Sequence, residues 1–211
     1  MKSFLTVIAA ILFSSSVQSQ SVKIPLPSKE KPSANEAVAY FAEGCFWHAE
    51  IVFQSLVGVR DAVSGFSGGK TTKVDYETVG SGKTGHAETV AVYYDPAKIS
   101  YETLVAAFFA SVDPTELNRQ GNDVGTQYRS AAFYKTDAEK KILESAIQKL
   151  QASGKYKKKI VTEIAPFTKF YAADAYHQEY IHYHPDNGYV AQVSIPEFIE
   201  FKKNFKGSFK Y

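Results

Sequence analysis

A chain of 211 residues with a single cysteine, Cys45, cannot be braced by an internal disulfide. Its fold must rest on buried apolar surface, and the sequence pattern says how that surface is arranged. Residues 37–41, 57–66, 86–94, 129–135 and 160–165 read as strands bounded by turn residues. After Cys45, apolar positions Phe46, Ala49, Val52, Phe53 and Leu56 recur at helical spacing. Residues 101–112 read as a helix with Ser100 as N-cap and Asp113-Pro114 as stop. Thr136 and Glu139 form a capping-box pattern ahead of the stripe Ile142, Leu143, Ala146, Ile147 and Leu150, which Gly154 closes. Residues 76–79 read as a short helical turn and residues 172–183 as a helix. Strands and helices are interspersed without strict alternation, which predicts an α+β two-layer sandwich.

The N-terminus has a different character. Lys2, an apolar run over residues 4–13 and a small, polar stretch ending near Val17-Gln18-Ser19 predict a signal peptide over residues 1–20. That run is too short to span a membrane. Residues 21–35, rich in Pro, Ser and Lys, read as a flexible lead-in. The domain is expected over residues 36–196. Residues 197–211, with Phe198, Phe201, Phe205, Phe209 and Tyr211 at roughly helical spacing, are expected to pack back onto it. The expected location is exported, periplasmic or secreted. The 24 Lys and Arg nearly balance the 22 Asp and Glu, which argues against a nucleic-acid binder. The densest basic stretch, 155–159, reads as a solvated turn after a helix. An exported chain with one thiol holds a reactive cysteine more readily than a structural one. Met1, the only methionine, leaves with the signal, so the mature chain offers no thioether to oxidise.

Cys45 lies at a strand-to-helix junction, in the run from Gly44 to Glu50. Free N–H groups at a helix N-terminus favour a thiolate there; the other reading is a small buried residue behind a glycine turn. Glu88 shares a strand face with Val90, Val92 and Tyr94. Buried on that face it stays protonated near neutrality, whereas at a sheet edge it would pair with a lysine. Tyr76 and Tyr128 are phenols able to donate hydrogen bonds, or simply two core members of the fourteen tyrosines. Phe46 and Trp47 form an apolar wall or ordinary core. Asp123 belongs to a Gly-Asn-Asp turn. Glu50, five residues beyond Cys45, either orients the tyrosines or faces solvent. His177, His182 and His184 crowd one segment, but no second ligand cluster supports a metal site, and His177 is read as making a structural hydrogen bond.

Five segments, taken together, carry a resemblance: the run from Gly44 to Glu50, the run from Val74 to Val79, the run from Thr84 to Val90, the run from Gly121 to Ser130 with Gly125-Thr126-Gln127-Tyr128-Arg129-Ser130 at its end, and Tyr176-His177-Gln178-Glu179-Tyr180. In order and spacing, over nearly all of residues 37–194, the chain resembles the A-type peptide methionine sulfoxide reductases (MsrA). The resemblance implies a ferredoxin-like mixed sheet and reduction of (S)-methionine sulfoxide, free or in peptides and proteins. It implies Cys45 as nucleophile, Glu88 as acid, Tyr76 and Tyr128 as donors to the sulfoxide oxygen, and Asp123 beside them through a water or backbone contact. Phe46, Trp47 and Glu50 are the implied substrate contacts. No bound cofactor or metal is implied, and the chain is expected to act as a monomer. Two departures stand out. His48 replaces a smaller residue of many members, and Val190 follows the Gly188-Tyr189 pair where many relatives carry a second cysteine. A sulfenic acid on Cys45 would therefore pass to an external thiol: a thioredoxin- or glutaredoxin-like protein, glutathione or another small thiol. The alternatives are a thiol peroxidase, or a non-catalytic module that binds oxidised methionine.

Overall fold

The computed structural model describes residues 35–211, so the expected signal peptide and nearly all of the lead-in lie outside the described residues. In chain order the elements are β1 (Ala37–Glu43), α1 (Phe46–Gln54), β2 (Val59–Ser67), α2 (Tyr76–Gly80), β3 (Ala87–Tyr94), α3 (Tyr101–Ser111), β4 (Arg119–Gln120), β5 (Asp123–Val124), β6 (Ser130–Tyr134), α4 (Asp137–Ala152), β7 (Glu163–Pro166), β8 (Tyr171–Ala172), α5 (Tyr180–Tyr183) and α6 (Ile195–Asn204). Strand alternation sorts side chains onto two faces. In β1, Ala39 and Phe41 enter the main core, while Tyr40 and Ala42 enter a smaller cluster with Ala87, Ala131 and Phe133. In β3, Val90, Val92 and Tyr94 belong to the main core.

The sheet order is β7-β6-β1-β3-β2-β8. β1 is antiparallel to β3 and β6, β2 is antiparallel to β3 and β8, and β7 is parallel to β6, so the sheet is mixed. The inner order β6-β1-β3-β2 comes from two split crossings: β3 lies between β1 and β2, and β1 lies between β3 and β6. That is the ferredoxin-like arrangement. α1 packs on β2 and β3, α3 on β1, and α4 on β6 and β7. The predicted capping box forms at the start of α4, with Thr136 Oγ1 accepting from Glu139 N–H, and Leu143 is fully buried. No helix among the described residues is long and apolar enough to cross a membrane.

Three expectations are corrected. Residues 172–183 are not one helix. Tyr171 and Ala172 pair with Phe66 and Gly65 as β8, a 3₁₀ turn follows at Ala175–His177, and only α5 is α-helical. The cause is Gln178, whose side chain accepts from Ser64 N–H and donates to Ser64 C=O, each at 2.9 Å, as a paired strand would. The predicted strand 160–165 pairs only from Glu163, because Ile160 N–H is taken by Gln151 Oε1 and Val161 N–H by Pro114 C=O. The tail boundary at 196/197 falls inside continuous helical backbone, a π turn Val190–Ser194 leading into α6. α6 lies against α1 and α3 with Phe198 and Phe201 buried, and Lys210 N–H bonds Ser55 C=O at 2.8 Å.

Candidate active site

The site is assembled where β1 turns into α1. Gly44 makes that turn at φ +95°, and a Cβ there would come within 2.7 Å of Gln120. Cys45 is then the N-cap of α1, and its carbonyl accepts from His48 and Ala49 N–H. Phe46, the first residue of the helix, has a free N–H. Glu88 Oε2 takes it at 3.0 Å. Glu88 sits on a central strand at 3% exposure, with no lysine partner among the described residues, and burial pushes its carboxyl up to about 8 despite that hydrogen bond. At neutral pH it is a carboxylic acid.

Cys45 itself is part-exposed. The Trp47 and His48 N–H groups lower its pKa, as expected at a helix N-terminus. Burial, and then the Glu88 charge, act more strongly and hold the thiol well above its ordinary value. The resting group is therefore a thiol, not the thiolate expected from the helix end alone. The helix-end contribution remains but is outweighed by burial and by the acid that occupies the first N–H.

Tyr76 opens α2, and Tyr128 closes a 3₁₀ turn at Thr126–Tyr128. The two segments are tied together: Thr126 Oγ1 donates to Gly82 C=O at 2.9 Å, Gln127 Nε2 to Gly80 C=O at 3.2 Å, and Arg129 to Thr126 C=O and Gly85 C=O. Gly125, at φ +149°, admits the Gln127 side chain, which a Cβ would strike at 2.3 Å. Burial raises Tyr76 to about 12 and Tyr128 further, and Glu88, Cys45 and Asp123 all add to both shifts. These five groups thus share one electrostatic neighbourhood, and both phenols stay protonated donors.

The aromatic wall is a stack. Trp47 lies flat on Tyr180, with centroids 3.7 Å apart at 8°, and His177 stacks on Tyr76 at 4.2 Å. Phe46, 1% exposed, contacts both Tyr76 and His177. His177 therefore acts by ring packing. Its buried Nδ1 has no hydrogen-bond partner among the described residues. Among the described residues no group of three or more His, Cys, Asp or Glu is placed to hold a metal ion.

Two acidic residues differ from expectation. Glu50 neither faces solvent nor bonds the tyrosines. It is 2% exposed, accepting from Ser64 Oγ at 2.7 Å and Glu179 N–H at 2.8 Å, and it anchors the 178–180 segment to α1. Asp123, on β5, makes a direct side-chain bond, accepting from Tyr189 Oη at 2.5 Å. Tyr189 is a residue of this site that the sequence reading did not single out. It touches Cys45 and stands edge-on to Trp47 at 6.2 Å. Its signal was the Gly188-Tyr189 pair, which drew attention only for the valine after it.

A thiol, a protonated carboxyl, three phenols and an apolar wall are the equipment of a thiol-based reductase that protonates a leaving oxygen. Comparison with known proteins gives the family. The family model described as peptide methionine sulfoxide reductase matches residues 37–208. A peptide methionine sulfoxide reductase MsrA of Picrophilus torridus is 45% identical over 170 residues, covering 81% of this chain and 96% of that protein. The crystal structure of reduced Mxr1 from Saccharomyces cerevisiae matches with TM-score 0.71 at 34% identity, over 77% of this chain and 93% of that one. Mxr1 in complex with Trx2 matches with TM-score 0.51 at 26% identity, over 74% of this chain and 92% of that one. The chain belongs to the peptide methionine sulfoxide reductase family.

Proposed function

We propose that this protein reduces (S)-methionine sulfoxide, in peptides, proteins or free form, to methionine, and that an external thiol then restores Cys45. The observation that carries the reading is Glu88: a buried acid, protonated at neutral pH, fixed to the first N–H of the helix that Cys45 caps. The S-methyl group packs against Phe46 and Trp47. Tyr76, Tyr128 and Glu88 meet the sulfoxide oxygen. Cys45 Sγ attacks the sulfoxide sulfur as Glu88 gives its proton to the oxygen. The thiol proton passes to Glu88, the hydroxyl moves from the methionine sulfur to Sγ as the Sγ–S bond just formed breaks, and methionine leaves with Cys45 as a sulfenic acid. With one cysteine, no intramolecular disulfide can follow. The Mxr1–Trx2 complex supports a thioredoxin-like protein as one donor, and small thiols are the other class. The S epimer is carried over from the family likeness. Residues 1–20 would export the enzyme.

Single-turnover reaction with separated S and R epimers, without thiol, tests this. The expected yield is about one methionine per enzyme from the S epimer alone, with one oxygen gained at Cys45. No methionine from either epimer, in folded protein with a free thiol, would falsify the reading and leave the peroxidase and binding alternatives.

A further inference from the structure

Cys45 also borders a second space. A cavity of about 340 Å³ is lined by Cys45, Glu43, His48, Asp123, Tyr189 and Glu197 among others, but by none of Phe46, Trp47, Tyr76, Glu88 or Tyr128. It therefore borders Cys45 from outside the methyl wall. Its lining has unused acceptors. His48 is 4% exposed; the Ser194 backbone lies near its ring and raises its pKa a little, but among the described residues neither ring nitrogen has a partner at hydrogen-bond geometry. Burial lowers its pKa to about 4, so the ring is neutral and offers a lone pair. Glu43, 1% exposed, is pushed up to about 8 by burial and so is a neutral carboxyl at neutral pH; Ser111 Oγ donates to one of its oxygens at 2.7 Å, and it adds no fixed charge to the lining. Glu197 Oε2 stands 4.0 Å from His48 Nδ1, too far for a hydrogen bond. A nitrogen seated over that gap can reach both. Asp113, Asp123 and Glu200 add acidic groups, and among the described residues Lys155 is the only Lys or Arg in the lining. Buried acceptors left without donors are costly, and a donor-rich cation removes that cost.

We propose that this cavity seats the small thiol that recycles the enzyme, and that it selects an aminothiol, whose ammonium lies between His48 and Glu197 while its sulfur faces Cys45. The inference rests on the reductase reading for its biological role. The chemistry balances. The thiol sulfur bonds Cys45 Sγ, the Cys45 S–O bond breaks, and the hydroxide takes the thiol proton and leaves as water. A second thiol attacks the mixed disulfide, forming the free disulfide and returning Cys45 as a thiol. Two thiols are oxidised and one sulfenic acid is reduced.

The test forms the Cys45 sulfenic acid with one equivalent of hydrogen peroxide and, separately, with methionine sulfoxide. The oxidised protein is mixed with cysteamine or with 3-mercaptopropionate, and the mixed disulfide is followed by quenched intact mass. Intrinsic thiol reactivity cancels when the cysteamine-to-mercaptopropionate rate ratio of a variant is divided by that of wild type. Glu197 is half exposed, so Glu197→Gln leaves the core untouched. It should lower the ratio about fivefold at low salt, and His48→Phe should lower it as well. Glu77→Gln, beside Tyr76 but outside the cavity, serves as the control for a diffuse field. A ratio unmoved by Glu197→Gln, or moved equally by Glu77→Gln, overturns the proposal. A sulfenic acid formed by peroxide but not by methionine sulfoxide overturns the reductase reading instead, with the thiol preference still measured.

Discussion

One proton separates the two roles that Glu88 could play. As the acid it gives a proton to the sulfoxide oxygen; as a carboxylate it only repels negative charge on that oxygen and on Cys45. Its pKa of about 8 makes the acid form dominant below that pH and lost above it. Cys45 lies well above its ordinary value, so thiolate formation does not compensate in the same range. The rate of methionine release in a single turnover should therefore be flat below about pH 8 and fall about tenfold per unit above it. Glu88→Gln keeps an oxygen for the Phe46 N–H but has no acidic proton; it should lower release by about 10²–10⁴-fold and abolish that inflection. A Glu88→Gln rate within about threefold of wild type would exclude Glu88 as proton donor. Tyr189 acts by position: Tyr189→Phe removes the hydrogen bond to Asp123 and the hydroxyl beside Cys45. The expected loss in release is about tenfold, the value of one such bond, read in the same quench experiment with tyrosine restored as control.

At the scale of elements, the segment behind the aromatic wall is held by side chains rather than by its own helix. Gln178 supplies three bonds, two to Ser64 and one to Ala173 at 2.9 Å, and Glu50 supplies another from α1. Gln178→Ala should leave the Ser64 backbone groups unpaired and cost about 2–3 kcal/mol in urea unfolding. Because the next turn carries Tyr180 on the face of Trp47, KM for a peptide sulfoxide should rise more than kcat falls. Equal effects on both would place the segment's role elsewhere. This is also where the sequence was hardest to read. The start of α1, the acid on β3 and the α4 capping box were legible because caps and alternation are set by neighbours in the chain. Residues 172–183 mimic helical periodicity, yet Gln178 pairs with a strand 114 residues away, and Glu179 adopts φ +52° to allow it. Glu50 was misplaced for the same reason: its partners, Ser64 and Glu179, come from two distant elements. Strands as short as β4, β5 and β8 carry no periodicity to detect.

For the whole molecule, the notable quantity is how many acids the fold holds protonated. Glu43, Glu50 and Glu88 are each pushed from 4.5 to about 8, chiefly by burial. In the unfolded chain these groups lose their protons near pH 4.5, while the folded state keeps them until about pH 8. The native state thus binds more protons across that interval, and stability must fall as pH rises through it. His48 acts the other way. It is neutral when folded and protonated when unfolded between about 4 and 6.5, so it adds stability as pH rises there and nothing beyond. The loss should be steepest between about pH 6.5 and 8, where the three acids are unopposed. Thermal unfolding should show a higher Tm near pH 5–6 than near pH 8, unusual for a protein whose formal charge is only +2. Glu50 separates this from catalysis, since it contacts Ser64, Gln54 and Glu179 rather than the reacting groups. Glu50→Gln, a permanent neutral amide of the same shape, should reduce the slope of unfolding free energy against pH by about 1.4 kcal/mol per unit across that window. A slope unchanged by Glu50→Gln would mean that Glu50 ionises in the folded protein as freely as in the unfolded chain, and that its burial is relieved by water.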